Sequence, residues 1–332
     1  MARKPRKKPG PVAGAKSQLV AALPLACQDE KAAVAFMERQ RWGESAACPR
    51  CGDMDVYQIK NRQTGERTKR FLWDCRGCRQ QFTVRIGTVF EDSRIPLKFW
   101  CYAFWKACSS KKGVSALQIQ RETGLSYKSA LFLMHRIRWA MTPTNDGGPL
   151  EGTVEVDETY MGGRVRHRNR KAGEPFVKGS HQAMGGNKVP VVAMVERGGR
   201  VRARVVPDVS ARNLRQMIRE HVSPSARLMT DESSLYPSLG KDFEGGHETV
   251  KHSIGEYGRG DAYTNTVEGF FSLLKRGVYG VFHNVSKRHL HRYVSEFEFR
   301  YNTRKLEDGE RTRLAIQGAD GKRLTYREPV SA

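Results

Sequence analysis

At 332 residues the chain is long enough for one sizeable core and one or two smaller modules. Its 58 Lys+Arg against 35 Asp+Glu leave a formal net charge of +23, an excess that requires a polyanionic partner, for which nucleic acid is the leading expectation. A membrane surface fits less well: there is no amphipathic anchor, no lipidation motif and no apolar run of the ~18–20 residues needed to span a bilayer.

Residues 1–16 form a Pro/Gly/Lys/Arg arm, expected to be disordered and to add non-specific phosphate affinity. Residues 17–44 are expected to be helical, with Asp29 and Glu30 opening a helix over 28–42. The short apolar stretch Leu19–Cys27 is followed by charge, and the seven cysteines do not form a disulfide framework, so the cytoplasm is the expected compartment. Two C-x2-C knuckles, Cys48/Cys51 and Cys75/Cys78, stand 23 residues apart, and the β-branched and aromatic segments around them read as short strands. This spacing suits a zinc ribbon over 45–90, in which two turns each offer a pair of thiolates to one Zn2+. Cys27, Cys101 and Cys108 have no paired spacing and read as small core hydrophobes.

From 97 to 141 the pattern is helical: 98–108, 114–123, a break at Gly124, then Tyr127–Met141 carrying Lys128, His135, Arg136 and Arg138. Helix, Gly-containing turn and basic helix resemble a helix-turn-helix DNA reader, or else plain bundle packing. Residues 142–152 read as a linker. Beyond it the sequence alternates as strands over Thr153–Thr159, Val189–Val195, Val201–Val206 and Arg227–Thr230. Helices are expected over 210–221, about 264–275 and, basic and amphipathic, about 287–300. Strand, hairpin, helix, strand and late helices form the order of an RNase H-like α/β domain over 150–305, with a Gly/Arg/Lys-rich insertion at Gly162–Lys188 and a tail over 306–332.

Within that domain Asp157 falls inside a half-buried strand, where an acid is costly without a partner or metal, and Asp231 falls at a strand end, where ligands gather in α/β sheets. Glu268 lies on a helix three residues after Asn265 and seven before Lys275, all able to share one face. Three such oxygen donors suit hard divalent cations, Mg2+ or Mn2+, and two-metal phosphoryl chemistry. Other chemistries fit less well. No H-E-x-x-H marks a zinc hydrolase, although His247, His252, His289 and His291 are present, and no P-loop implies a nucleotide cofactor. Tyr160 and Ser233 lie near the acids, but a tyrosine or serine recombinase does not need spaced carboxylates.

The runs VEVDETYMGG (154–163), TDESS (230–234), YTNTVEGFFSLLKRGVYG (263–280) and VSKRHLHRYVSEFEFRYNTR (285–304) resemble bacterial insertion-sequence transposases related to the eukaryotic Merlin elements. The leading zinc ribbon and helical region belong to that pattern too, so the resemblance spans nearly the whole chain. It implies a DDE nucleotidyltransferase with Asp157, Asp231 and Glu268 as the metal-binding acids; the 36 residues between Asp231 and Glu268 fit its spacing. Many bacterial members are described with Asn as the third residue, which leaves Asn265 open; a carboxylate binds Mg2+ more strongly than an amide, favouring Glu268. Lys275 matches the motif's trailing lysine and is expected to contact a phosphate near the cut. The resemblance further implies binding of terminal inverted repeats, cleavage and strand transfer on double-stranded DNA, both element ends and target, by a homo-oligomer in a bacterial, nucleoid-associated setting. A DNA-binding regulator with a silent catalytic domain, and a nuclease without joining activity, are the alternatives.

Overall fold

The computed structural model describes residues 18–143, 147–162, 188–232, 236, 241–250, 254 and 258–325. The expected basic arm, most of the Gly162–Lys188 insertion, Ser233, Ser234 and His252 lie outside them.

Five helices follow their expected positions closely: α1 (Gln18–Gln28), α2 (Glu30–Trp42), α3 (Leu97–Ser109), α4 (Ala116–Thr123) and α5 (Tyr127–Met141). Their ends are set by side-chain caps that satisfy amides without intrahelical partners. The Asp29 carboxylate accepts from Ala32 N at 2.7 Å, Ser115 Oγ from Gln118 N at 3.1 Å and Ser126 Oγ from Ser129 N at 3.2 Å. Gly124 ends α4 in the left-handed region, at φ 73°, and α5 starts three residues later at Tyr127. Trp100, Phe104, Ile119, Leu133, Met134 and Ile137 fill the core between these helices, with Cys101 and Cys108 buried among them and Cys27 packed at its margin.

Between α2 and α3 the strands β1 (Val56–Gln58), β2 (Trp73–Cys75) and β3 (Gln81–Phe82) form a three-stranded antiparallel sheet. The sulfurs of Cys48, Cys51, Cys75 and Cys78 all lie within 4.8 Å of one another; Cys48–Cys78 are 3.7 Å apart and Cys51–Cys75 3.6 Å. Four thiolates about 2.3 Å from a tetrahedral Zn2+ stand ~3.8 Å from each other, so this donor set fits structural zinc. The ribbon is joined to α2 by Glu38, which accepts two bonds from Arg67, both 2.9 Å, and one from Trp73 Nε1 at 2.7 Å. Trp42 packs edge-on against Trp73 and Phe82.

The rest of the chain builds a five-stranded sheet from β4 (Thr153–Met161), β5 (Val189–Glu196), β6 (Val201–Val205), β7 (Arg227–Asp231) and β8 (His247–Val250), in the order β6-β5-β4-β7-β8. The β4–β5–β6 meander is antiparallel, whereas β4, β7 and β8 run parallel. Helix α6 (Ala211–His221) covers one face through Leu214, Met217 and Ile218. Helices α7 (Asn265–Gly277) and α8 (Leu290–Asn302) cover the other through Val267, Phe270, Leu274, Val294 and Phe297. A Cβ on Gly277 would stand 2.0 Å from the Phe297 ring, so only glycine permits this approach of α7 to α8. This is the expected RNase H-like α/β arrangement, preceded by the ribbon and the helical region.

Three expectations are corrected. The segment after 305 is not simply a tail: Asp308–Gln317 forms α9, whose Ala315 and Ile316 are buried in the N-terminal helical core. The composition-based linker is partly core, since Leu150 is fully buried beneath the sheet. The basic residues at the C-terminal half of α5 do not face outward. His135, Arg136 and Arg138 are buried, and Arg136 donates to the carbonyls of Val89, Glu91 and Leu324. Arg138 Nε meets Glu296 of α8 at 2.7 Å with both side chains at most 1% exposed. Glu296 also accepts from Arg300, whose guanidinium donates to the carbonyls of Ala107 and Ser110 in and after α3. Helix α8 is therefore not a basic amphipathic surface, since Arg292 and Arg300 are buried too.

Replacing Cys75 with Ser should release about one zinc per chain and unfold the ribbon, because metal binding is folding energy for such a site; zinc analysis with circular dichroism reads both. Glu296→Ala leaves Arg138 and Arg300 buried without a counter-charge and should destabilise the chain by roughly 3–5 kcal/mol, measured as a lowered urea midpoint relative to a surface control such as Glu307→Ala.

Candidate active site at the strand ends

Strand alternation decides which face each residue of β4 serves. Val154 and Val156 pack under α6, so Glu155, Asp157 and Thr159 face α7. Because β4 and β7 are parallel with Glu155 opposite Met229, two further steps of the same register place Asp157 beside Asp231. Neighbouring strands stand about 4.8 Å apart, and both acids lie at the C-terminal ends of their strands, on one face. The Asp157 carboxyl is pushed up to about 7, first by burial and then by the charges of Glu158, Asp231 and Glu268, against a bond from Glu158 N–H at 2.7 Å. Glu268 of α7 is thus close enough for its charge to act on Asp157. Among the described residues the four cysteines form a cluster of metal-ligating side chains, and the three acids are not grouped in the same way.

Asn265 opens α7 and Glu268 sits in its first turn, both exposed. An acid there is favoured by the helix dipole, and Thr264 Oγ1 donates to Glu268 Oε1 at 3.2 Å. Lys275 lies on the solvent side two turns later, about 10 Å along the axis. The expected residues therefore share one region of the sheet and one exposed stripe of α7.

Residue Glu155, not singled out from sequence, organises this geometry. It is fully buried, and its carboxylate accepts from Thr266 N at 2.7 Å, Val267 N at 3.0 Å and Thr266 Oγ1 at 2.8 Å, capping the N-terminus of α7. Arg197, just past β5, donates to the same carboxylate at 2.7 Å, to the carbonyls of Asp261 and Tyr263, and stacks over the Tyr263 ring. The signal was available: Glu155 sits two residues before Asp157, on the same face of an otherwise apolar strand.

A further acid, Glu158, points to the α6 side, where the buried Tyr236 hydroxyl donates to its Oε2. Burial raises the Glu158 carboxyl, with Tyr236 opposing and Asp231 adding to the rise. Tyr160, weighed as a nucleophile, is about half exposed at the end of β4. His247 bonds Thr230 Oγ1 at 2.8 Å inside the β7–β8 pair and is depressed by burial, a structural placement.

A family model for the ISXO2-like transposase domain matches residues 149–302, and one for a transposase zinc-ribbon domain matches 28–81, taking in α2. An uncharacterized protein in transposable element ISH50 of Halobacterium salinarum is 28% identical over 276 residues, covering 82% of this chain and 90% of that protein. An uncharacterized transposase-like protein of Haemophilus influenzae is 30% identical over 103 residues, 31% of this chain and 81% of its own length. Among solved structures, the Mos1 strand transfer complex overlaps 65% of this chain and 70% of that chain at 12% identity, with a TM-score of 0.28, too loose a superposition to bear on the fold. By domain order and by both relatives, the chain belongs to the ISXO2-like insertion-sequence transposases.

Proposed function

We propose that this transposase cleaves DNA at the ends of its own insertion sequence and joins them to target DNA, using Asp157, Asp231 and Glu268 to hold Mg2+ or Mn2+. The observation that carries the reading is the parallel β4–β7 register, whose continuation by two residues would bring Asp157 beside Asp231 at the strand ends, with the charges of Asp231 and Glu268 acting on Asp157. The half-buried oxygen donors fit hard cations. Bound there, such cations supply the Lewis acidity that activates a water or 3′-OH and stabilises the leaving oxygen.

The chain's own residues do the rest. Glu155 and Arg197 orient the start of α7, so that Glu268 meets the strand acids. Lys275 contacts a phosphate near the scissile bond. Terminal repeats of double-stranded DNA are bound by the zinc ribbon and the helix-turn-helix, on the face that α5 leaves open at Tyr127 and Lys128 rather than through its buried arginines. Holding two element ends together requires at least a dimer, and the chain works in the bacterial cytoplasm at the nucleoid.

Incubating wild type and Asp231→Asn with a duplex carrying the element end and Mg2+ tests this. Wild type should nick at the end, and the variant should lose at least ~100-fold in rate while still binding DNA. Binding without cleavage by wild type, in Mg2+ or Mn2+, would assign the chain to DNA-binding regulation. Asp157 provides a second test. Its folded pKa of about 7 lies above the ~3.9 of an unfolded aspartate, so ionising it costs stability as pH rises from about 4, the whole cost being present above 7. In chelator, Asp157→Asn should therefore raise the melting temperature at pH 8, by about 1–3 kcal/mol of stability, and leave it unchanged at pH 4.

A further inference from the structure

The fully buried carboxylates of the α/β domain each have an arginine: Glu155 has Arg197, Glu296 has Arg138 and Arg300, and Glu298 has Arg204 at 2.7 Å. Among the described residues the half-buried Glu158 has no such partner. Its bonded partner is the neutral hydroxyl of Tyr236, a side chain fully buried in the apolar layer with Leu214, Ile218 and Val156. A half-buried carboxylate is costly without a countercharge, and a phenol lowers that cost without cancelling the charge. A purely structural position would be served as well by valine, as at Val154 and Val156 on the same face of β4.

We propose that Glu158, on the opposite face of β4 from Asp157, is a positioning residue whose charge strengthens cation binding between Asp157 and Asp231 and which is held in place by Tyr236. Two features of its position support this. It directly follows Asp157 on β4, at the strand end where Asp231 arrives from β7. Tyr236 lies five residues after Asp231, so the Tyr236–Glu158 bond ties the segment leaving Asp231 back to the strand that carries Asp157. A negative charge beside the two ligand strands adds to the attraction for a dication, most strongly where the surroundings exclude water. This inference rests on the reading of Asp157 and Asp231 as metal ligands.

The test uses the full-length chain with an element-end duplex and reads Mn2+ binding by electron paramagnetic resonance alongside cleavage against Mn2+ concentration. Asp231→Asn serves as control for the site itself: if it leaves Mn2+ binding and cleavage at wild-type levels, the metal-site reading fails, and this inference with it. If the control behaves, Glu158→Gln, which keeps an oxygen for the Tyr236 hydroxyl but removes the charge, should raise the half-saturating Mn2+ concentration about tenfold. It should raise that concentration by a larger factor than it lowers the rate at saturating Mn2+. Tyr236→Phe should raise it about threefold, and the double variant should be no worse than Glu158→Gln alone, because both act through one carboxylate. A wild-type half-point in Glu158→Gln overturns the proposal while leaving Asp157 and Asp231 as ligands. If Glu158→Gln does not fold, by loss of its thermal transition, Tyr236→Phe decides: an unchanged half-point overturns the proposal.

Discussion

One buried carboxylate holds the catalytic domain in register. Glu155 receives two backbone amides and a hydroxyl from the start of α7 and the guanidinium of Arg197 beyond β5. A charge without exposure is tolerated only when its oxygens are fully met, and here the partners come from two separate parts of the chain. Satisfying Glu155 therefore fixes where α7 begins relative to β4. Asp157 lies two residues further on the same face, and Glu268 lies in the first turn of the capped helix, so the mutual placement of these acids follows from how Glu155 is paired.

A second buried charge cluster joins the modules. Arg138 of α5, Glu296 and Arg300 of α8, and the carbonyls of Ala107 and Ser110 form one network in which burial pushes the Glu296 carboxyl up but the two arginines more than offset it, holding it below the ordinary glutamate range. His135 packs beside it against His289 and Tyr293, kept neutral by burial and by the neighbouring Arg138. The second helix of the helix-turn-helix is thus anchored to the α/β domain rather than tethered by a linker. α9 returns from the far end of the chain to fill the same helical core, and Lys322 donates to the carbonyls at the end of α5. The N-terminal helices and the α/β domain are consequently carried on one framework.

Charge also shows where sequence reading fails. A string of Arg and His on a helix looks like a DNA-contacting face, and on α5 it is the interior face. Arginine is the residue that can be buried at tolerable cost, because its five donors can be met by carbonyls and a carboxylate at once. The same composition serves an exterior polyanion or an interior network, and only the partner's location distinguishes them. Glu155 and Glu158 pose the converse problem: both look like polar interruptions of a strand, yet one caps a helix more than 100 residues later in the chain.

The sequence by itself determined what depends on near neighbours. Cap residues and Gly124 placed the helix ends within a few residues, alternation marked the strands, and paired C-x2-C spacing identified the thiolate cluster. The motifs around Asp157, Asp231 and Glu268 carried the family. Tertiary structure alone decided the relations between distant segments: that β4 and β7 run parallel in the register that aligns Asp157 with Asp231, that Glu155 rather than Asp157 anchors α7, that Tyr236 holds Glu158, and that the segment after 305 belongs to the first core. The physical reason is range. Caps, turns and periodicity are set by interactions a few residues apart, whereas register and buried ion pairing depend on which surfaces meet when the whole chain closes, and no local pattern carries that choice.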